Sequence, residues 1–273
     1  VNRGLFPRLR QGNNPLFLWS ARSQIALINN ITYQENLTEV SLLTLAIDVG
    51  GSSIKAIILR EDGTTFSERS QINTPHPATP DLIIAALLDL VATFPDYDRL
   101  AIGFPSVVEY GVTRGAINLD RDWDGFLLAK VLQDKLGKPL RIANDADVQG
   151  CGAIAGQGVE LVITLGTGFG SSLFFNGKLL PNLELGQHIF VGSETYEDRL
   201  GQAALDQVGV EIWQARLLEA IASLYKLFNY DKLYIGGGNA RLISVGLPAN
   251  VAIVSNNLGL IGGLALWKSS DPG

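Results

Sequence analysis

Leu45-Ala-Ile-Asp48-Val-Gly50-Gly51-Ser-Ser-Ile-Lys55-Ala-Ile-Ile-Leu59, followed by Asp62-Gly63, decides the fold. By backbone preference it is a β-branched strand, a glycine turn, a second strand and a turn signal leading to a third strand. Leu161-Val-Ile-Thr164-Leu-Gly166-Thr167-Gly168-Phe169-Gly170-Ser-Ser-Leu-Phe-Phe175, followed by Asn176-Gly177, repeats that order. Another pair of segments recurs behind it. Tyr97-Asp-Arg-Leu100-Ala-Ile-Gly103-Phe-Pro105 and Tyr230-Asp-Lys-Leu233-Tyr-Ile-Gly236-Gly237-Gly238 each follow an apolar helical run. Chance can produce one glycine-rich match, but two matches in the same order imply a duplicated β-β-β-α-β-α unit.

The helices of each half can be placed from their apolar spacing. Ala78-Thr79-Pro80-Asp81 predicts a helix start, with Thr79 as N-cap and Pro80 at the first helical position, and Leu82, Ile83, Leu87, Leu90, Val91 and Phe94 follow at helical intervals. A second core helix is predicted from Val210 to Phe228, carrying Ile212, Trp213, Leu217, Leu218, Ile221, Leu224, Tyr225 and Phe228 at comparable intervals. Strands alternating with helices predict an α/β protein: a helix-covered sheet in each half and a ligand-binding cleft between them. The expected boundaries are an N-terminal lobe over 44–143, a C-terminal lobe over 144–254, and a helix over about 255–268 that packs back on the first lobe. Residues 1–43 show scattered Asn and Gln without a helical or strand period and are set apart as an N-terminal extension of unknown role.

Composition narrows the function classes. Of 273 residues, 47% are apolar and 18% charged, which permits a packed core and excludes disorder as the main state. A net charge of −6 argues against nucleic acid as a partner. The single cysteine, Cys151, can supply neither an internal disulfide nor a cysteine-rich zinc site, so no zinc is expected. No apolar run is long enough for a membrane helix; the longest candidate, Val251 to Trp267, is interrupted by Ser255, Asn256 and Asn257. Arg3, Arg8 and Arg10 lead into Gln11-Gly-Asn-Asn14 where a signal peptide would need its apolar run, so a cytoplasmic protein is expected and the sequons at Asn30 and Asn36 are read as unused.

The glycine turns carry the first chemistry. Each lets the main chain approach a ligand and leaves N–H groups pointing outward, a nest suited to phosphate oxygens. Gly50-Gly51-Ser52-Ser53 adds two hydroxyls with Lys55 beyond them, and Gly166-Thr167-Gly168 adds one. A dinucleotide fingerprint must run from strand into helix, whereas both turns here run from strand to strand, and no Walker sequence occurs. Asp48, at the end of the first strand, is a turn former or, functionally, the carboxylate that holds hydrated Mg²⁺ beside a migrating phosphoryl group. Asn144-Asp145-Ala146-Asp147 reads as a helix cap. At a cleft the same step would place Asp145 as general base, with Asp147 the weaker candidate, and Asn144 as the group that orients the substrate. Glu184-Leu-Gly186-Gln187-His188 and then Glu197 supply polar groups suited to sugar hydroxyls.

With those residues in hand, the chain resembles the ROK family of sugar kinases and repressors, most of all its polyphosphate glucokinase branch. The resemblance rests on Ala46-Ile-Asp48-Val-Gly-Gly-Ser-Ser-Ile-Lys55, Gly103-Phe-Pro-Ser-Val-Val108, Asn118-Leu-Asp120-Arg-Asp-Trp123 and Asn144-Asp-Ala-Asp147. It continues through Leu165-Gly-Thr-Gly-Phe-Gly170, Leu180-Pro-Asn-Leu-Glu-Leu-Gly186 and Ile235-Gly-Gly-Gly238, in family order from about residue 44 onward. It implies two ribonuclease-H-like domains of the actin and hexokinase type with an interdomain cleft. It also implies phosphoryl transfer from polyphosphate or ATP to the 6-hydroxyl of glucose, with Mg²⁺ beside the phosphates. By the same resemblance Asp145 is the catalytic base, and Asn144, Glu184, Gln187, His188, Glu197 and Asn118 face the sugar. Gly50, Gly51, Ser52, Ser53, Lys55, Gly166, Thr167, Gly168, Gly237, Gly238 and Asn239 face the donor. Two departures stand out: the family usually has His at the place of Gln187, with His188 displaced by one, and Asn239-Ala240-Arg241 replaces a small residue followed by lysine. The competing readings are an ATP-dependent hexokinase of the same fold and a non-catalytic sugar-binding regulator. A repressor would need an N-terminal helix-turn-helix of roughly 60 residues, which 1–43 does not resemble. Homodimer formation is left open.

Overall fold

The computed structural model describes residues 41–115, 119–255 and 258–268. Nearly all of the N-terminal extension, both sequons and Asn118 lie outside the described residues. Leu42–Gly273 forms one compact unit, and both halves of the repeat belong to it.

The first half builds β1 (Thr44–Val49), β2 (Ser53–Leu59), β3 (Ser70–Asn73), β4 (Arg99–Phe104) and β7 (Leu140–Asn144) into a five-stranded sheet of order β3-β2-β1-β4-β7. The hairpin partners are antiparallel, while β1–β4 and β4–β7 are parallel. The second half repeats this with β8 (Val159–Leu165), β9 (Phe169–Phe175), β10 (Lys178–Leu180), β13 (Lys232–Gly236) and β14 (Val251–Ile253), in the order β10-β9-β8-β13-β14. Asn176 and Gly177, at φ 50° and 77°, make the two-residue left-handed turn that joins β9 to β10, as an Asn-Gly step favours. Short hairpins complete the strands: β5 (Val107–Glu109) with β6 (Val112–Arg114), and β11 (Ile189–Val191) with β12 (Glu194–Thr195).

Each sheet has its own core. Helix α1 (Pro80–Val91) lays Ile83, Leu87 and Leu90 on Leu45, Ile47 and Ile102. It starts where expected, yet the Thr79 hydroxyl makes no cap bond. The proline presets the first turn instead, and the Ala78 carbonyl accepts from the buried Trp123 indole at 2.7 Å. Helix α2 (Leu128–Leu136) ends at Gly137 in the left-handed cap conformation. In the second half, α4 (Tyr196–Leu200) precedes α5 (Gln202–Phe228), whose Trp213, Leu217 and Leu224 pack on Leu161, Ile163 and Ile235. α5 starts at Gln202 rather than Val210, and a break at Gly209 (φ 77°, ψ 167°) divides it. That glycine interrupts the apolar spacing, which made the sequence look like a helix boundary there.

Two helices join the halves. α3 (Asp145–Ala153) follows directly from β7 and packs against β4, β8 and β9. α6 (Leu258–Lys268) packs against α3 and onto β1, β2 and β4. Their approach is main chain to main chain: a Cβ on Gly262 would lie 1.8 Å from the Val148 carbonyl oxygen, and one on Gly152 would lie 2.5 Å from that of Leu258. At its far end α6 sets Trp267 against the guanidinium groups of Arg99 and Arg141, 5.0 and 4.9 Å from the ring centroid. Among the described residues no helix is long and apolar enough to cross a membrane.

Candidate active site

Within this unit a cleft of about 330 Å³ opens where the carboxyl ends of β1 and β8 meet the start of α3. Both glycine turns line it. The atom nearest to where a Cβ on Gly51 would stand is the Thr167 hydroxyl oxygen, 3.9 Å away, so the turns face each other across the cleft. Each is closed by one of its own amides, with Gly50 N–H donating to Ser53 O at 3.0 Å and Gly166 N–H to Gly168 O at 3.1 Å. The amides left for a ligand are therefore those further round each turn. The Gly50 carbonyl accepts from the Thr74 hydroxyl at 2.6 Å, and the Gly166 carbonyl accepts from the Asn239 amide at 3.3 Å. Both loops are thus braced before any ligand arrives.

Asp48 and Lys55 sit opposite each other on the β1–β2 ladder and pair at 3.3 Å, both reaching the cleft. Asp145 lies at the first position of α3. One of its oxygens accepts from the Ala146 amide at 2.8 Å, and its carboxyl is partly accessible from the cleft although protein surrounds most of it. Burial, then the nearby Asp48 charge and, less strongly, Glu184 and Asp147, push its pKa up to about 7, against the opposing pull of the Ala146 amide. Such a carboxyl is poised to take a proton near neutral pH. Asn144 caps the helix, its oxygen accepting from Ala146 N–H (2.9 Å) and Asp147 N–H (3.2 Å), while its amide donates to Ser106 O at 3.2 Å. One amide hydrogen remains for a substrate. Asp147 is almost fully buried, and one of its oxygens accepts from the Asn182 amide at 2.8 Å. It does not line the cleft.

Glu184, Gln187 and Glu197 also line the cleft. Glu197 accepts from the Phe169 amide at 3.0 Å, which fixes it beside the second turn. The crowding cleft wall and the charge of Glu197 push the pKa of Glu184 upward. A Cβ on Gly186 would lie 2.3 Å from the Phe169 carbonyl oxygen, so glycine is what lets this loop close on the turn.

Of the residues expected here, the cleft gathers Asp48, Gly50, Gly51, Lys55, Asn144, Asp145, Gly166, Thr167, Gly168, Glu184, Gln187, Glu197, Gly237 and Gly238. It does not gather Ser52, Ser53, His188 or Asn239. The Ser52 and Ser53 carbonyls accept from Thr74 N–H and Gly50 N–H, which closes the turn. His188 follows the 3-10 turn Leu185–Gln187 in an extended conformation, φ −78° and ψ 140°. Gln187 faces the cleft and His188 is exposed elsewhere. Asn239 is buried, its amide shared between Gly166 O and the Gln202 side chain, so it braces the donor loop from behind. Arg241 is exposed and does not line the cleft. The cleft also takes in Ser106, Val107, Gln149 and Leu183, which sequence reasoning missed. Gln149 was within reach of it, being one helical turn from Asp145 on the same face.

The ROK family profile matches residues 44–188, a span that holds both glycine turns, the Asn144–Asp145 step and Glu184. The chain belongs to the ROK family. A curated relative, the polyphosphate glucokinase of Mycobacterium tuberculosis strain H37Ra, is 31% identical over 233 residues, covering 79% of this chain and 88% of the relative. Among solved structures, the inorganic polyphosphate/ATP-glucomannokinase of Arthrobacter sp. strain KM superposes with a TM-score of 0.75 at 30% identity, over 82% of this chain and 97% of that one. The ROK family glucokinase of Streptomyces griseus, solved with glucose and AMPPNP, shares the fold with a TM-score of 0.67 at 22% identity, over 82% and 98%. The ROK fold accounts for the two sheets of equal strand order, an α/β architecture of the actin and hexokinase type.

Proposed function

We propose that this chain transfers a phosphoryl group from polyphosphate to the 6-hydroxyl of glucose, giving glucose 6-phosphate. Membership of the sugar kinases, phosphotransferases acting on a sugar hydroxyl, rests on the relatives above. The observation that carries the mechanism is the meeting of both glycine turns, with the Thr167 hydroxyl 3.9 Å from where a Cβ on Gly51 would stand, over a cleft that also holds Asp145.

Glucose sits at the Glu184, Gln187 and Glu197 end, where two carboxylates and a carboxamide accept and donate to its hydroxyls. The donor lies between the turns. Their outward amides, Gly237, Gly238 and Lys55 take its phosphate oxygens, and the Lys55 charge offsets the charge that spreads over the migrating group. Asp145 accepts the 6-hydroxyl proton as that oxygen bonds to the terminal phosphorus; the bridging oxygen leaves with the shortened polyphosphate and its electron pair. The segments 44–143 and 144–254 act as two lobes that close over the sugar, which removes water as the competing acceptor.

Asp48 fits a magnesium ion. It is one carboxylate on the cleft beside a phosphate-binding turn, and Mg²⁺ characteristically takes one or two carboxylates, keeps waters and completes its shell with substrate phosphates. The ion would supply further charge neutralisation at the donor.

A coupled glucose 6-phosphate assay run separately with polyphosphate and with ATP tests the proposal. Turnover with polyphosphate at a higher kcat/KM than with ATP is expected. Turnover with ATP alone overturns the donor assignment, and no turnover with either overturns the kinase reading.

A further inference from the structure

The sugar end of the cleft depends on a contact that joins the two halves of the repeat. Asn182, at φ 61°, stands two residues before Glu184. Its side-chain oxygen accepts from Val108 N–H at 3.1 Å and its amide donates to Val108 O at 3.2 Å, so one carboxamide copies a strand partner for β5. Its own N–H donates to the Asp147 carboxylate at 2.8 Å. Three hydrogen bonds therefore tie one residue both to the first half and to the helix that carries Asp145.

The elements on either side of this clasp belong to the cleft. Val107, next to Val108, lines it, and Ser106, one residue earlier, offers the carbonyl that accepts from Asn144. On the other side, the Ser171 hydroxyl donates to Leu183 O at 2.6 Å and its oxygen accepts from Leu185 N–H at 3.2 Å, which fixes the main chain around Glu184. The other oxygen of Asp147 is buried without a partner, so burial of this carboxylate is matched chiefly by the Asn182 amide.

We infer that Asn182 is a positioning residue for the sugar: by clasping Val108 it holds Glu184 at a set distance from the first half and thereby sets glucose affinity. It touches no substrate itself. This inference rests on the kinase reading above.

Asn182→Gly is the informative variant. Glycine accepts the left-handed conformation and keeps the N–H to Asp147, so only the two side-chain bonds to Val108 are lost. The expected result is a rise of about 10-fold in the glucose KM and in the glucose Kd by calorimetry, the scale of two lost hydrogen bonds, with the donor KM within about two-fold of wild type. Asn182→Asp keeps the acceptor for Val108 N–H and loses the donor, and should recover part of the affinity. An unchanged glucose KM, or donor and glucose KM values that rise together, overturns the inference while leaving the kinase reading intact. If wild type itself neither binds nor phosphorylates glucose, the kinase reading falls and the inference falls with it.

Discussion

The turns of the two halves do not close in the same register. In the first, Val49 pairs with Ile54, leaving Gly50 to Ser53 in the loop and setting Asp48 opposite Lys55. In the second, Leu165 pairs with Phe169, leaving Gly166 to Gly168 in the loop and setting Thr164 opposite Gly170. The loop is one residue shorter, and the charged pair becomes a hydroxyl beside a bare glycine. A Cβ on Gly170 would lie 2.4 Å from the Thr164 hydroxyl and 2.9 Å from Ala146 Cβ, so the glycine is what lets α3 seat against the second turn. The two halves share the sheet order and divide the work: a charged pair beside one turn, close helix packing on the other, and the carboxyl proposed to take the proton on the helix between them.

That division can be broken at each part. The largest effect belongs to the part that has no duplicate. Asp145→Asn is expected to lower kcat by about 10² to 10⁴-fold with glucose binding retained, the usual scale of general base catalysis. In wild type, kcat should fall as pH drops through about 7, because protonated Asp145 cannot accept the hydroxyl proton. A steady-state pH profile of wild type and variant checks both statements.

The next effect tests packing on the second turn against its absence on the first. Gly170→Ala has to displace Thr164 or α3 and should cost about 1–3 kcal/mol in denaturant unfolding. Gly51→Ala meets nothing closer than 3.9 Å, so its stability should stay near wild type while the donor KM rises, since the added methyl stands where phosphate oxygens approach. Equal destabilisation by the two substitutions would remove the distinction between the turns.

Charge comes third. Lys55→Ala should raise the donor KM on the order of 10-fold, an effect that shrinks as salt is added, whereas Thr167→Ala should raise it only a few-fold with little salt dependence. Donor KM values across a salt series separate the two.

The last effect is on the pH dependence of stability. The folded pKa of Asp145 is raised, so the stability associated with this group is fully present below the unfolded carboxyl pKa of about 3.9 and is lost as pH rises through about 7. Asp145→Asn escapes that loss, so its Tm advantage over wild type should grow from pH 5 to pH 8.

Much of this was legible in the sequence, for a local reason. Hairpins, glycine turns and helix caps depend on neighbours a few residues apart, so the repeated strand order and the Asn144 cap read directly from the chain. The same locality explains what was missed. Asn182 and Val108 are 74 positions apart, and no period or motif joins them. Gln187 and His188 were both expected to face the sugar, because the sequence does not tell where the 3-10 turn ends and the chain becomes extended at His188. Asn239 carries the right group for phosphate, yet the fold commits its side-chain amide to Gly166 O and Gln202, a commitment visible only once partners are assigned. Within α5, Gly209 hid the true helix start because a break and an end look alike to apolar spacing.

The central claim is that both turns hold one anion. Amide hydrogen exchange of the Asp145→Asn protein with glucose, measured with and without tripolyphosphate, addresses it most directly. Peptides spanning 49–53 and 165–169 should slow together, at the same tripolyphosphate concentration. Protection of one turn with the other left at its unliganded rate would contradict the account.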